Sequence, residues 1–160
     1  TLNVDHGWVG ARERWEWIAG AREAIAAATR AGWHVFVVTN QSGIARGLYS
    51  EAQMHDLHRW MCDEVRALGG TVDDIRFAPY HPEIGPPPPA HHADWRKPGP
   101  GMLNDLAARW ELDPARCVMV GDAETDMQAA AAAGMRGVRF TGGDLRDVVL
   151  PLLRDEGGVA

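Results

Sequence analysis

The chain has 160 residues, with 16 Lys+Arg against 22 Asp+Glu, a formal net charge of −6 and 46% hydrophobic residues. This length and balance suit a single domain and exclude wholesale disorder, which needs low hydrophobicity and high net charge. The mild acidity argues against nucleic acid or a membrane surface as partner, because both recruit a basic face. Two cysteines, Cys62 and Cys117, are too few for a disulfide scaffold, so a reduced, cytoplasmic setting is expected. No apolar run approaches the roughly 18 residues needed to cross a bilayer, and no signal peptide is expected from the polar first ten residues.

In chain order, the Ala-rich stretch 20–31 predicts a helix stopped by Gly32. Residues 33–38 (WHVFVV) predict a buried strand, and 39–49, with two glycines, a loop. Ser50 opens a capping-box pattern, S-E-A-Q, with Gln53 as its third residue. A helix follows to Leu68, with Met54, Leu57, Met61, Val65 and Leu68 at helical spacing. A short strand is expected over 75–78. Residues 82–100 hold seven prolines and read as a long loop. A helix over 101–110, a buried strand over 117–120, an Ala-rich helix over 124–133, a strand over 138–140 and a helix over 145–153, open to a kink at Pro151, complete the pattern. Strands alternating with helices specify an α/β fold with a parallel sheet, covered on both faces. Ligands of such sheets bind beyond the carboxyl ends of the strands.

Polar motifs sit at those ends. In V-V-T-N-Q-S-G-I-A-R-G (37–47), the Thr39 hydroxyl, the amides of Asn40 and Gln41, Ser42 and the backbone around Gly43 could hold a phosphate, or could form an ordinary polar turn. Asp122 and Asp126, in G-D-A-E-T-D, are hard oxygen ligands suited to Mg²⁺, or helix-capping residues. Arg96 and Lys97 can neutralise phosphate oxygens, or can be a solvated pair. Trp15, Trp17, Trp33 and Trp110 are expected to pack, Cys62 and Cys117 to be inert thiols, and His55 and His58 to lie on a helix surface.

Taken together, a Thr-Asn turn, a Lys-Pro and a Gly-Asp-x-x-x-Asp resemble the haloacid dehalogenase-like phosphatase superfamily. More narrowly, they resemble its heptose 1,7-bisphosphate 7-phosphatase family. The matching segments are N-V-D-H-G-W-V (3–9), V-V-T-N-Q-S-G-I-A-R-G (37–47), W-R-K-P-G-P-G-M-L (95–103) and M-V-G-D-A-E-T-D-M-Q-A-A (119–130). The resemblance implies a Rossmann-like parallel sheet without a separate cap domain, forming a single phosphatase domain. It implies a monomeric, Mg²⁺-dependent phosphatase of a small phosphosugar, working through an aspartyl-phosphate. It gives Thr39, Asn40 and Lys97 to the phosphate, Asp122 to the metal, and Asp126 to Lys97 or a metal-bound water. Arg96, Gln41 and Ser42 fall to substrate binding, as do Asp5, His6, Gly7 and Trp8 at the sugar. A phosphatase of histidinol phosphate or another small ester, and a non-catalytic phosphosugar-binding relative, remain the alternatives.

The chain departs from the family pattern twice. The family's D-x-D-G-T motif is represented only by Thr1, so the nucleophile and the acid–base aspartate, with their strand, are expected upstream of Thr1. The structural zinc carried by many members needs Cys and His at positions that are here Ala78, Tyr80, Ala93 and Trp95. His81, His91 and His92 lie nearby, but without thiolates they do not supply a tetrahedral set. No structural zinc is expected, and elemental analysis of the purified protein should find none. About one tightly held zinc per chain would overturn this.

Overall fold

The computed structural model describes residues 1–155. Its elements are α1 (Ala21–Arg30), β1 (Phe36–Asn40), α2 (Ser42–Ala45), α3 (Glu51–Arg66), β2 (Asp74–Ala78), α4 (Gly101–Arg109), β3 (Val118–Gly121), α5 (Glu124–Ala132), β4 (Arg136–Arg139) and α6 (Leu145–Asp155), with short 3₁₀ turns at Arg12–Arg14, Ala90–His92 and Pro114–Arg116. None of the helices among the described residues is long and apolar enough to cross a membrane. The chain forms two compact units: one of residues 1–37, 52–74 and 142 onward, the other of 38–51 and 75–141.

In the first unit, α1 buries a face of small residues, Ala21, Ala24, Ala26 and Ala28 with Ile25, and packs on α6. Small side chains let neighbouring backbones come close. The Leu145 N–H reaches the Ala19 carbonyl at 2.8 Å, which fixes the start of α6. The α3 helix buries Met54, Leu57, His58, Met61 and Val65, four of which follow the predicted apolar periodicity. Arg22 pairs with Glu64 at 3.0 Å, and the Thr71 N–H bonds the Thr29 hydroxyl. Trp15, Trp17 and Trp60 form a cluster with ring centroids 5.1–6.2 Å apart, Trp15 meeting both of the others edge-on, so Trp15 and Trp17 serve packing.

In the second unit, β3 and β4 are parallel, with Val118 opposite Arg136 and Gly121 opposite Arg139. The α5 helix lies against both strands through Ala129 and Ala130, which are fully buried and form a core with Leu103, Met119 and Ala133. The first strand pair, β1–β2, is also parallel: Asp73 N–H bonds the Val35 carbonyl at one end, and Gln41 N–H the Ala78 carbonyl at the other.

Four expectations need correction. The first strand runs 36–40 rather than 33–38, because Trp33 N–H completes the last turn of α1 on the Ala28 carbonyl and Val35 N–H is taken by the Asp73 carboxylate. It is half-buried along its whole length rather than buried. Residues 42–45 form a short helix inside the expected loop, whereas the last helix runs Leu145–Asp155 with Pro151 inside it, as expected.

His58, expected at the surface, is only 7% exposed on the apolar face of α3. Burial, with a smaller contribution from His55, pushes its pKa from 6.5 down to about 4. The native state therefore holds His58 neutral where the unfolded chain protonates it. Stability from this source is complete above pH 6.5 and is lost as the pH falls toward 4, by roughly 3 kcal/mol at the limit. Urea unfolding of His58→Leu at several pH values should show a shallower decline over that window than the parent. Parallel declines would show that His58 is not the source.

Candidate active site

The site grows from Lys97, which follows the proline-rich loop. Its side chain is 11% exposed and pairs with Asp126, itself 6% exposed, at 2.6 Å from Nζ to Oδ1. Nζ also donates to the Val38 carbonyl of β1 at 3.1 Å. The Lys97 backbone is gripped by one side chain: its N–H donates to Asn40 Oδ1 at 3.0 Å, and its carbonyl accepts from Asn40 Nδ2 at 3.1 Å. An ammonium has three N–H donors, of which Asp126 and Val38 occupy two among the described residues. Asn40 thus uses its amide oxygen and one of its two amide N–H donors on the Lys97 backbone.

Asp126 serves two partners. Its Oδ2 accepts from the Ala123 N–H at 3.0 Å, capping the first turn of α5, while Oδ1 faces Lys97. The capping contact and the ion pair with Lys97 thus use different oxygens of one carboxylate. Gly121 makes room for it, since a Cβ at Gly121 would lie 2.4 Å from Asp126 Oδ2. Asp122, one residue later, is exposed at the carboxyl end of β3.

Thr39 and Gln41 are tied together: Gln41 Nε2 donates to Thr39 Oγ1 at 3.1 Å, and the Tyr49 hydroxyl donates to Gln41 Oε1 at 2.5 Å. Ser42 begins α2, and its carbonyl accepts from the Arg46 N–H. Arg96 Nη1 donates to the Tyr80 carbonyl at 3.1 Å. Its guanidinium is made less basic than usual by burial and then by the neighbouring charge of Arg46. Arg46 Nη2 lies 2.8 Å from His81 Nε2. An anion bound where the charge of Arg46 acts on Arg96 would be attracted by both.

Tyr80 and Trp95, two of the positions where the resemblance puts zinc ligands, instead grip His92. The Tyr80 hydroxyl is 2.7 Å from His92 Nδ1, and the imidazole stacks on Trp95 with centroids 3.6 Å apart. Among the described residues, no group of three or more His, Cys, Asp and Glu gathers to hold a metal. Cys62 and Cys117 are half-buried, and burial pushes both thiols up, away from the reactive thiolate.

Asp5, His6, Gly7 and Trp8 belong to the other compact unit and form an exposed turn. Asp5 Oδ1 accepts from the Gly7 N–H at 2.9 Å, and His6 Nε2 is 2.7 Å from Glu16 Oε2. Reading the sequence missed Tyr49 and the Val38 carbonyl. The first sits outside any polar motif, and the second is a backbone group, which leaves no trace in residue types.

Comparisons with known proteins extend this geometry. Residues 94–151 match a family model described as HAD-hydrolase-like. The D-glycero-beta-D-manno-heptose-1,7-bisphosphate 7-phosphatase of Rhodopseudomonas palustris is 45% identical over 144 residues, which is 90% of this chain and 80% of that protein. The enzyme of the same name from Vibrio cholerae is 39% identical over 163 residues, covering 96% and 88%. Among solved structures, the D,D-heptose 1,7-bisphosphate phosphatase from B. bronchiseptica, complexed with magnesium and phosphate, superposes with a TM-score of 0.80 at 36% identity, over 100% of this chain and 83% of that one. A putative HAD-like phosphatase from Mesorhizobium loti gives 0.82 at 31% identity, over 100% and 84%.

The near-complete burial of the Lys97–Asp126 pair sets its energetic role. Asp126→Asn removes the counter-charge of a buried ammonium and should cost about 3 kcal/mol in urea unfolding. Adding Lys97→Met should recover part of that loss. Strictly additive losses would show that the two side chains are not coupled.

Proposed function

Because the chain belongs to the haloacid dehalogenase-like hydrolases, in the heptose 1,7-bisphosphate 7-phosphatase family, we propose that it hydrolyses the 7-phosphate of D-glycero-D-manno-heptose 1,7-bisphosphate. The observation that carries this is Lys97: a buried ammonium, fixed by Asp126, Val38 and Asn40, its third N–H assigned to a phosphate oxygen. Fixing a charge before the reaction removes the cost of reorganising it in the transition state.

In the proposed reaction a carboxylate attacks the phosphorus, and the bond to the sugar oxygen breaks. A second carboxyl protonates that oxygen and then takes a proton from water, which hydrolyses the aspartyl-phosphate to inorganic phosphate. The resemblance assigns both roles to the two aspartates of the family's D-x-D-G-T motif, of which this sequence holds only Thr1. Lys97 and the Thr39 hydroxyl donate to the transferring phosphate as its charge redistributes. Asp122 offers the hard oxygen that Mg²⁺ prefers, and one or two carboxylates suffice when phosphate oxygens and waters complete the shell. Magnesium bound there would neutralise the phosphate so that an anionic nucleophile can approach. Arg96 and Arg46 are assigned to the second phosphate of the bisphosphate, which would relieve the like charges they hold together. The protein is assigned to the cytoplasm, acting as a monomer.

The test is kcat/KM of the full-length protein for heptose 1,7-bisphosphate and for histidinol phosphate. The bisphosphate should be favoured by tenfold or more, because a substrate ammonium near Arg96 is repelled by about a kcal/mol or more. Arg96→Ala should narrow that ratio. Asp122→Asn should lower both efficiencies by about a hundredfold. Comparable efficiencies for the two esters would leave a phosphatase of different substrate, and unchanged activity in Asp122→Asn would refute the metal assignment.

A further inference from the structure

The geometry points to Tyr49 as a positioning residue that, through the Gln41 amide, turns the Thr39 hydroxyl into an obligate donor to bound phosphate. This rests on the reading of Thr39 as a phosphate contact.

The inference follows from counting protons along one chain of hydrogen bonds. A phenol has a single proton, and a primary amide has a donor end and an acceptor end that only its neighbours can tell apart. The Tyr49 hydroxyl has Gln41 as its hydrogen-bond partner, at 2.5 Å. Donation by Tyr49 places the Gln41 oxygen toward the ring and the NH₂ toward Thr39, where Nε2 is 3.1 Å from Oγ1. The reverse polarity would strand the phenolic proton in a half-buried slot, at the cost of an unmade hydrogen bond. Burial also pushes the Tyr49 pKa up, so the phenol keeps its proton across the working range.

Thr39 Oγ1 thus accepts from Gln41 and cannot give its own proton to that NH₂. Among the described residues that proton meets no acceptor, so it is left for bound phosphate. Without the Tyr49 hydroxyl, the amide can turn over and its oxygen can take the Thr39 proton. The hydroxyl would then be spent inside the protein.

Two further features hold the relay. The Gln41 backbone is anchored by its N–H on the Ala78 carbonyl at 2.7 Å, so its side chain pivots from a fixed point. Gly43 opens the slot that the ring fills, since a Cβ there would stand 2.3 Å from Tyr49 Cε1.

Tyr49→Phe in the full-length protein keeps the ring and removes only the hydroxyl. It should weaken competitive inhibition by inorganic phosphate and lower kcat/KM, each by roughly three- to tenfold, the worth of one hydrogen bond. In a Thr39→Val background the same substitution should change neither quantity. Equal losses in both backgrounds, or no loss with Thr39 present, would overturn the proposal. A second readout needs no turnover: the Gln41 side-chain amide should exchange its hydrogens slowly in the parent, as seen by ¹⁵N NMR, and faster in Tyr49→Phe. Unchanged exchange would also overturn the relay. Absence of any phosphatase activity, with the amide protected and phosphate binding still coupled to Tyr49, would instead count against the catalytic reading and leave the relay standing. Should Tyr49→Phe fail to fold, Gln41→Leu takes its place in the two Thr39 backgrounds, with the same coupling expected.

Discussion

A lysine ammonium taken out of water has to be met by charge and hydrogen bonds at close range, and the second unit is built around that requirement at Lys97. Asp126 supplies the counter-charge, Val38 a carbonyl, and Asn40 a bidentate hold on the backbone. These partners come from β1 and the first turn of α5, so a single residue of the loop before α4 ties both elements together. The arrangement is costly to assemble, because desolvating two ions rivals their attraction. It is compensated where the remaining lone pairs and protons are satisfied, as the Ala123 N–H on Asp126 Oδ2 illustrates.

Such an arrangement needs space as well as charge. Gly121 admits the Asp126 carboxylate against the strand end, and Gly43 admits the Tyr49 ring beside Gln41. Fully buried Ala129 and Ala130 let α5 settle on β3 and β4. In each case a missing or minimal side chain allows a polar or aromatic group to reach its partner. Enlarging any of these positions would disturb the neighbouring contact, since packed interiors do not accommodate an added methyl freely.

The loop between β2 and α4 is ordered by different means. Tyr80, His92 and Trp95 form a hydrogen-bonded and stacked clip, and the Tyr80 carbonyl in turn receives Arg96. The seven prolines in residues 82–100 reduce the freedom that the unfolded loop would otherwise have. Aromatic stacking and a restricted backbone thus both act on the segment that leads to Arg96. The guanidiniums of Arg46 and Arg96 bring positive charge to that end of the loop in a chain of net charge −6.

The sequence alone determined the alternation of strands and helices, the polar turns at strand ends and the family to which they belong. These properties are written in local periodicity and in contiguous motifs: Met54, Leu57, Met61 and Val65 repeat at helical spacing, and T-N-Q-S-G-I-A-R-G is unbroken. Tertiary structure decided what each polar group faces. Asn40 turned to the Lys97 backbone, 57 residues away, and Tyr49 to Gln41. His58 went into the core beside Leu57 and Met61 although its own side chain is polar. The first strand started late because Asp73, distant in sequence, captured the Val35 N–H. Periodicity reports which face of an element is apolar. A hydrogen bond depends on which two groups meet across the fold, and that is set only when the chain has packed.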